Sequence, residues 1–164
     1  MSYTFEQMAA PHRRAVIDIF NHYVASGTAA FPERPAGYEV YDRFLEMTRG
    51  YPALVARDEA AGVAGFAFLR PYHHAETFRR AAEITYFLHP LHVRKGLGTR
   101  LLEDLLRKAR GMGIDTILAC ISAENPESLK FHEKQGFREC GRFLRVGRKF
   151  GRDFDLVWMQ KHLA

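Results

Sequence analysis

The sequence predicts an α/β fold with one central sheet of mixed strand direction, and three observations indicate it. Segments with the apolar pattern of strands alternate with amphipathic helical segments along the chain. Short turns join consecutive strands at 58–62 and near residue 150, as antiparallel hairpins require. A strand, turn, helix and strand follow one another between residues 83 and 122, which is the arrangement of a parallel crossover.

The length and composition indicate one domain over residues 1–164. A chain of this length can bury a core, and 47% hydrophobic residues is ordinary for a globular protein. No apolar run reaches the roughly 18 residues that a membrane span needs, and the N-terminal residues lack the apolar core of a signal peptide. We therefore expect a cytoplasmic protein that does not bind a membrane.

The first half of the chain is predicted to contain three strands and two helices. Pro11 opens the first helix and Gly27 follows its end. The loop at 28–37 carries Phe31, which is either a hydrophobic anchor or a wall of a substrate pocket. The predicted elements are strand 3–7, helix 11–26, helix 38–49 and strands 53–58 and 63–70, followed by an irregular polar segment at 71–81.

The middle of the chain carries the strongest functional signal. A strand that begins near Glu83 and stops at Pro90 is followed by a basic turn and by a helix with an apolar stripe up to Met112. The turn contains Arg94, Lys95, Gly96 and Gly98. Backbone N–H groups at the start of a helix lack intrahelical partners, and the helix dipole adds partial positive charge there. Such a turn suits a phosphate or a pyrophosphate.

The spacing of this turn leaves two interpretations open. The third glycine of a dinucleotide-binding fingerprint is missing, and no Gly-Lys-Ser/Thr follows as in a Walker loop. The turn is therefore either an anion site or a tight turn whose glycines serve packing.

The last third of the chain predicts a strand at 115–122, a helix and two more strands at 138–149 and 152–160. Asn125 is a good N-cap for the helix, which ends at Gly136. Cys120 and Cys140 fall in apolar strand-like segments and are predicted to pack in the core. The adjacent histidines His73 and His74 have no third ligand near them in sequence, so no metal site is predicted.

The net charge of +5 comes from 24 basic and 19 acidic residues. This excess is compatible with an anionic cofactor or with nucleic acid. Because the basic residues are spread along the chain rather than massed, we do not expect nucleic-acid binding.

Several segments together resemble the GNAT superfamily of acetyl-CoA-dependent N-acetyltransferases, and within it the phosphinothricin and methionine sulfoximine N-acetyltransferase group. The segments are residues 28–31, Glu83 with Thr85, the turn at 92–98, the AENPESLKFHEKQGF stretch and the tail GRFLRVGRKFGRDFDLVWMQ. The resemblance covers nearly the whole chain. It implies the GNAT fold, a mostly antiparallel sheet that splays apart at the cofactor site and is flanked by about four helices.

The resemblance identifies the expected anion as the pyrophosphate of acetyl-CoA, with no metal. The residues expected to bind the cofactor are Phe87, Leu88, Val93, Arg94, Lys95, Gly96, Leu97, Gly98, Thr99, Asn125 and Ser128. Val93 stands where the superfamily usually has Arg or Gln. Backbone amides do most of the binding, so we expect the site to be retained.

The resemblance also assigns catalytic roles. Glu83 is the expected general base, because an amine attacks a thioester only after losing a proton. The backbone N–H of Leu88 is expected to stabilise the charge that develops on the thioester oxygen. His132 is the candidate proton donor for the departing thiolate, and a packing role for it is equally open.

The acceptor is expected to be a small primary amine. Phe31, Tyr72, His73, Phe78 and Glu83 are the expected substrate-binding residues. Ala75 stands where the related enzymes carry a carboxylate-binding arginine, which argues against phosphinothricin itself.

The predicted reaction is acetyl transfer to an amino acid or analogue by direct attack in a ternary complex, in a homodimeric enzyme. A peptide N-terminus, a polyamine or an antibiotic amine is an alternative acceptor, and a non-catalytic acetyl-CoA sensor is an alternative of another class.

Overall fold

The computed structural model describes residues 2–60 and 62–163, and within them seven strands and four α-helices. The elements, in chain order, are β1 Tyr3–Gln7, α1 Arg13–Ser26, α2 Val40–Met47, β2 Ala53–Asp58, β3 Gly62–Pro71, β4 Ala81–Leu88, α3 Leu97–Gly111, β5 Thr116–Ser122, α4 Pro126–Lys134, β6 Arg138–Lys149 and β7 Arg152–His162. Short 3-10 turns at Ala10–His12, Glu76–Phe78 and Pro90–His92 complete them. Helix α2 is therefore two residues shorter at each end than the predicted helix at 38–49, and β7 is two residues longer than the predicted strand at 152–160.

All seven strands belong to one sheet in the order β1-β2-β3-β4-β5-β7-β6. β4 and β5 are parallel, and every other neighbouring pair is antiparallel. The predicted mixed, mostly antiparallel α/β sheet with four helices is confirmed. Within the described residues, no helix combines the length and the apolar character that crossing a bilayer requires.

Helices cover both faces of the sheet, as their apolar stripes require. α3 buries Leu97, Leu101 and Leu105 against one face, where they are at most 1% exposed. α1 and α2 cover the other face, where Ile17 and Tyr41 pack with the aromatic residues of β3. Because a strand turns alternate side chains to opposite faces, each residue of β4 points either toward α3 or toward α1 and α2.

The sheet opens between its two parallel strands. The pairing of β4 with β5 covers only Ala81–Thr116, Ala82–Ile117 and Glu83–Leu118. Both strands continue past this point, β4 to Leu88 and β5 to Ser122. The expected splay is confirmed, and it begins immediately after Glu83.

Candidate active site

A cavity of about 460 Å³ lies at the splay. Its walls come from β4 residues 83–88, from β5 residues 119–122, from α1, α2 and α4, and from the loop at 29–32. Ligand pockets of enzymes have volumes of this order and mostly apolar walls with a few polar groups. The cavity runs from Arg94 at the basic turn to Glu83 on the floor, so the predicted anion site and the predicted base share it.

The backbone of β4 presents polar groups to this gap. The register pairs Phe87 with Phe66 and Leu88 with Gly65, and His89 N–H donates to the Ala64 carbonyl at 2.8 Å. Hydrogen bonds alternate along an antiparallel pair, so odd-numbered residues of β4 bond to β3. The N–H of Leu88 therefore points away from β3 and toward β5, where the gap lies. Its carbonyl oxygen accepts a hydrogen bond from the Tyr23 hydroxyl at 2.7 Å.

The basic turn has the geometry of an anion site. Arg94 and Gly96 have left-handed backbones, with φ of 60° and 76°, and Gly96 caps α3. Arg100 N–H donates to the Gly96 carbonyl at 3.2 Å and so starts the helical hydrogen bonds. The N–H groups of Leu97, Gly98 and Thr99 precede that bond, and the first N–H groups of an α-helix have no intrahelical acceptor.

The predicted cofactor residues differ in how they meet the cavity. Phe87, Leu88, Val93, Arg94, Gly98, Asn125 and Ser128 line it, whereas Lys95, Gly96, Leu97 and Thr99 do not. The side chain of Leu97 is fully buried in the core, so only its backbone can contribute to an anion site. The hydroxyl of Thr99 accepts a hydrogen bond from Gln135 at 3.1 Å. Arg94 forms an ion pair with Glu127 across the mouth of the cavity.

Asn125 caps α4 as predicted, because its side-chain oxygen accepts the N–H of Ser128 at 3.2 Å. Both residues also line the cavity beside the gap. The N-cap role is thus confirmed, and the cofactor role stays a prediction.

Glu83 lies at the floor of the cavity and is paired with an arginine. Arg70 is directly opposite on β3, and its Nη2 donates to Glu83 Oε1 at 2.8 Å. The Glu83 side chain is 16% exposed, so the carboxylate is shielded but reaches the cavity. Sequence reasoning missed Arg70, because an arginine at the end of a strand resembles an ordinary surface residue.

His132 is 2% exposed and lies beneath the gap. Its Nδ1 is 2.7 Å from the Ser128 carbonyl, which can only accept, so Nδ1 carries the proton. Its Nε2, 3.0 Å from the Tyr86 hydroxyl, then accepts a hydrogen bond from it. Burial lowers the pKa of His132 to about 4, so the imidazole is neutral at pH 7. Tyr86 lines the cavity between β4 and α4.

This burial predicts that protonation of His132 destabilises the fold. Between pH 6.5 and pH 4 the unfolded chain binds a proton at His132 that the native chain does not, so stability falls as pH falls. We expect His132 alone to lower the free energy of unfolding by about 2 to 3 kcal/mol between pH 7.5 and pH 4.5, because each unit of pKa difference is worth about 1.36 kcal/mol. Urea unfolding of the wild type and of His132→Gln at several pH values measures it.

The other ionisable groups are the same in both proteins. The difference between the two curves of unfolding free energy against pH therefore isolates His132. A constant difference in the free energy of unfolding across this pH range would contradict a buried neutral imidazole.

The predicted acceptor residues are not all brought together. Phe31 lines the cavity and stacks on Phe154, with ring centroids 6.2 Å apart. Tyr72, His73 and Phe78 do not line it. Instead Phe78 packs against the rings of Tyr72 and His73, at 5.7 and 5.0 Å, on the exposed segment that leads into β4.

Lys149 is a second residue that sequence reasoning missed. It is 2% exposed, and its Nζ donates to the carbonyl oxygens of Val24, Gly27 and Ala30 at 2.6 to 2.8 Å. An ammonium group has three N–H donors, so all of them are satisfied. Lys149 thus joins the end of β6 to the loop that forms one wall of the cavity. Its position in a basic run made it look like a solvent-exposed charge.

The prediction that both cysteines pack in the core is wrong. Cys140 is exposed on β6, because it lies on the outer face of an edge strand. Cys120 is partly buried and lines the cavity, because β5 turns it into the gap. Burial raises the pKa of the Cys120 thiol to about 11, so it is a poor nucleophile at neutral pH. Among the described residues, no three or more histidine, cysteine, aspartate or glutamate side chains are grouped as a metal site requires.

Comparison with known proteins finds matches along nearly the whole chain. The model of the Acetyltransferase (GNAT) family matches residues 16–137. An L-methionine sulfoximine/L-methionine sulfone acetyltransferase of Pseudomonas aeruginosa is 34% identical over 150 residues, which cover 90% of this chain and 87% of that enzyme.

Two solved structures share the fold at similar identity. A GNAT superfamily phosphinothricin acetyltransferase from Sinorhizobium meliloti in complex with acetyl-CoA is 31% identical, with a TM-score of 0.92 over 100% of this chain and 90% of that chain. A ribosomal-protein-alanine N-acetyltransferase from Brucella melitensis is 33% identical, with a TM-score of 0.91 over 98% of this chain and 99% of that chain.

Proposed function

Because the chain belongs to the GNAT family of acetyltransferases, we propose that residues 1–164 form one catalytic domain that acetylates the primary amine of an amino acid or an amino-acid analogue. One observation supports this most: the parallel strands separate immediately after Glu83, which puts the carboxylate at the inner end of the gap. The relatives with similar sequences are named for amino-acid analogues, methionine sulfoximine and phosphinothricin.

The gap and the turn fit acetyl-CoA as the acetyl donor. The N–H groups of residues 97–99 and the Arg94 guanidinium offer donors to a pyrophosphate. The inner edge of β4 offers the backbone groups of residue 86 and the N–H of residue 88 to a pantetheine chain lying between the strands. When bound there, acetyl-CoA supplies an activated thioester.

Three groups of the protein then act on the reaction. The Glu83 carboxylate accepts the proton that the amine loses as it attacks. The Leu88 N–H donates to the thioester oxygen as negative charge develops on it. Tyr86 lines the cavity, and its hydroxyl donates to Nε2 of His132 in the free enzyme; we propose that its proton turns from His132 to the departing sulfur when the cofactor is bound. We propose that His132 acts through Tyr86, because its own Nδ1 proton is used by the Ser128 carbonyl.

Direct attack of the amine in a ternary complex is the favoured route. The cysteine in the cavity, Cys120, holds its proton at neutral pH and so does not favour a covalent acetyl-enzyme. Initial-rate kinetics distinguish the two routes, since intersecting double-reciprocal lines indicate a ternary complex and parallel lines a covalent intermediate.

The function is tested with purified protein, acetyl-CoA and a panel of amines. Thiol release and mass spectrometry of the product report turnover on free amino acids, on peptides with an N-terminal alanine and on polyamines and aminoglycosides. We expect free amino acids to be turned over with the highest kcat/KM. Tight acetyl-CoA binding without thiol release on any amine would instead indicate a sensor.

A peptide N-terminus is the second candidate acceptor. The similarity to the ribosomal-protein-alanine N-acetyltransferase supports it, since that protein is 33% identical over almost the whole chain. The same panel decides between the two, because a peptide acetyltransferase would prefer the alanine peptides to free alanine.

We further propose a cytoplasmic homodimer that acts on small molecules without nucleic acid or membrane. β6 is the last strand of the sheet, and its Phe143, Leu144 and Val146 side chains are more than half exposed. Exposed apolar residues on a sheet edge are typical of an interface. Light scattering of the wild type and of Leu144→Glu measures the assembly.

A further inference from the structure

Arg70 is the one side chain near Glu83 whose hydrogen bonds are incomplete. Its Nε is buried and has no hydrogen-bond partner, and no other buried side-chain nitrogen or oxygen of the described residues is in this position. A buried donor without a partner is destabilising, so such atoms are rare in folded proteins. The guanidinium donates from Nη2 to Oε1 of Glu83.

Arg70 also faces the cavity. Its side chain is 38% exposed, and it lines the same cavity as Glu83. Arg94, the other arginine in the lining, lies at the basic turn and is paired with Glu127. The Glu83 end of the cavity therefore has a planar cation whose Nε is unpaired but buried and reaches a ligand only when the side chain turns, beside a carboxylate that needs access to an amine.

We propose that Arg70 binds the carboxylate of the acceptor, and that the acceptor is an α-amino acid with an apolar side chain. This inference rests on the proposed acetyl transfer and adds the residue that selects the substrate. Guanidinium groups bind carboxylates through two parallel N–H···O bonds, which uses donors that Glu83 leaves free. In an α-amino acid one carbon atom separates the amine from the carboxylate. Arg70 and Glu83 are directly opposed on neighbouring strands, so one molecule can reach both.

The walls near this pair indicate the side chain of the acceptor. Phe68 lies two residues before Arg70 and points to the same face of the sheet. Phe20, Phe44 and Met47 from α1 and α2 line the cavity on that face. An apolar side chain of the size of methionine or leucine would pack against these residues, whereas a charged one would lose its hydration.

Binding of the carboxylate also affects the base. In the free enzyme Arg70 shares its charge with Glu83 at 2.8 Å. When the Arg70 guanidinium turns to the substrate carboxylate, one Glu83 oxygen becomes free to accept the proton of the amine. The acceptor thus helps to assemble the site that deprotonates it.

The test compares L-methionine, L-methioninamide and 3-(methylthio)propylamine as acceptors for wild type, Arg70→Met and Arg70→Lys. We expect Arg70→Met to lower kcat/KM for L-methionine about 100-fold and for the other two less than about fivefold, because only the first carries the carboxylate. Arg70→Lys retains the charge but lacks the paired N–H donors of a guanidinium, so its kcat/KM for L-methionine should be only partly restored. The ratio of the variant kcat/KM to the wild-type kcat/KM is taken for each acceptor, because this ratio cancels differences in basicity among the three amines.

Calorimetric titration of acetyl-CoA shows whether each Arg70 variant is folded, and the Kd of these two variants should stay within about twofold of the wild type. Arg94→Met is the matched control, since it should weaken acetyl-CoA binding without changing the relative rates for the three acceptors. An equal loss on all three acceptors, or a wild type that turns over other amines but not L-methionine, would overturn the assignment and leave the acetyltransferase proposal intact. If no amine of any class releases thiol, both proposals fail.

Discussion

Replacing Glu83 by glutamine is expected to lower kcat about 1,000-fold, within the 10²–10⁴ that a general base contributes. Glutamine has the same shape and can still accept the Arg70 hydrogen bond, so the floor of the cavity should be unchanged. It cannot accept the proton of the attacking amine. Steady-state thiol release measures kcat, and calorimetry measures the acetyl-CoA Kd, which should change less than about twofold because the cofactor lies beyond this side chain.

Glu124→Gln is the matched control for this variant. Glu124 is an exposed carboxylate that accepts hydrogen bonds from Arg152 at 2.7 Å and does not line the cavity. Removing its charge breaks an arginine–carboxylate pair outside the site and should leave kcat within about twofold. If Glu83→Gln kept more than about a tenth of the activity, Glu83 would not be the base.

Replacing Leu88 by proline is expected to lower kcat about 300-fold, since removal of one preorganised oxyanion donor costs about 10²–10³. Proline lacks the N–H that points into the gap. The hydrogen bonds between β3 and β4 should survive, because Leu88 is not one of the residues of β4 that bond to β3. The same thiol-release assay measures this loss, and circular dichroism and thermal unfolding check that the variant is folded.

Leu88→Ala separates the backbone from the side chain. It removes the packing of the leucine but retains the N–H, so kcat should fall less than about tenfold. Equal losses in the two variants would mean that the Leu88 side chain, rather than its amide, supports the reaction.

The parts of the fold with strong local patterns were predictable from the sequence. α3 is one, because its leucines recur every three or four residues and all of them are buried in the structure. The basic turn is another, since its glycine and basic residues sit directly between a strand and a helix. Both depend on residues close together in the chain.

The gap itself could be expected only from the resemblance to a known family. It exists because the pairing of β4 with β5 stops at Glu83 and Leu118, which are 35 positions apart, and no local pattern shows where a pairing ends. The contact between Tyr86 and His132 joins residues 46 positions apart and was missed for the same reason.

The acceptor side of the site was the least predictable. Tyr72, His73 and Phe78, which the resemblance suggested as substrate-binding residues, pack against one another outside the cavity, and their role in binding stays a prediction. Arg70 and Lys149, which do shape the cavity, are charged residues whose burial and partners come from distant parts of the chain.

The most direct test of this account is a crystal structure of the enzyme with coenzyme A and an amino-acid acceptor. It would measure the distances from the cofactor sulfur to the Leu88 nitrogen and from the acceptor amine to the Glu83 carboxylate. The proposed mechanism requires a pyrophosphate on the amides of residues 93–99, a sulfur between β4 and β5 within about 4 Å of Leu88 N, and an amine within hydrogen-bond reach of Glu83 directly or through one water. A cofactor bound away from that turn, or a sulfur separated from Glu83 by the intact sheet, would contradict it.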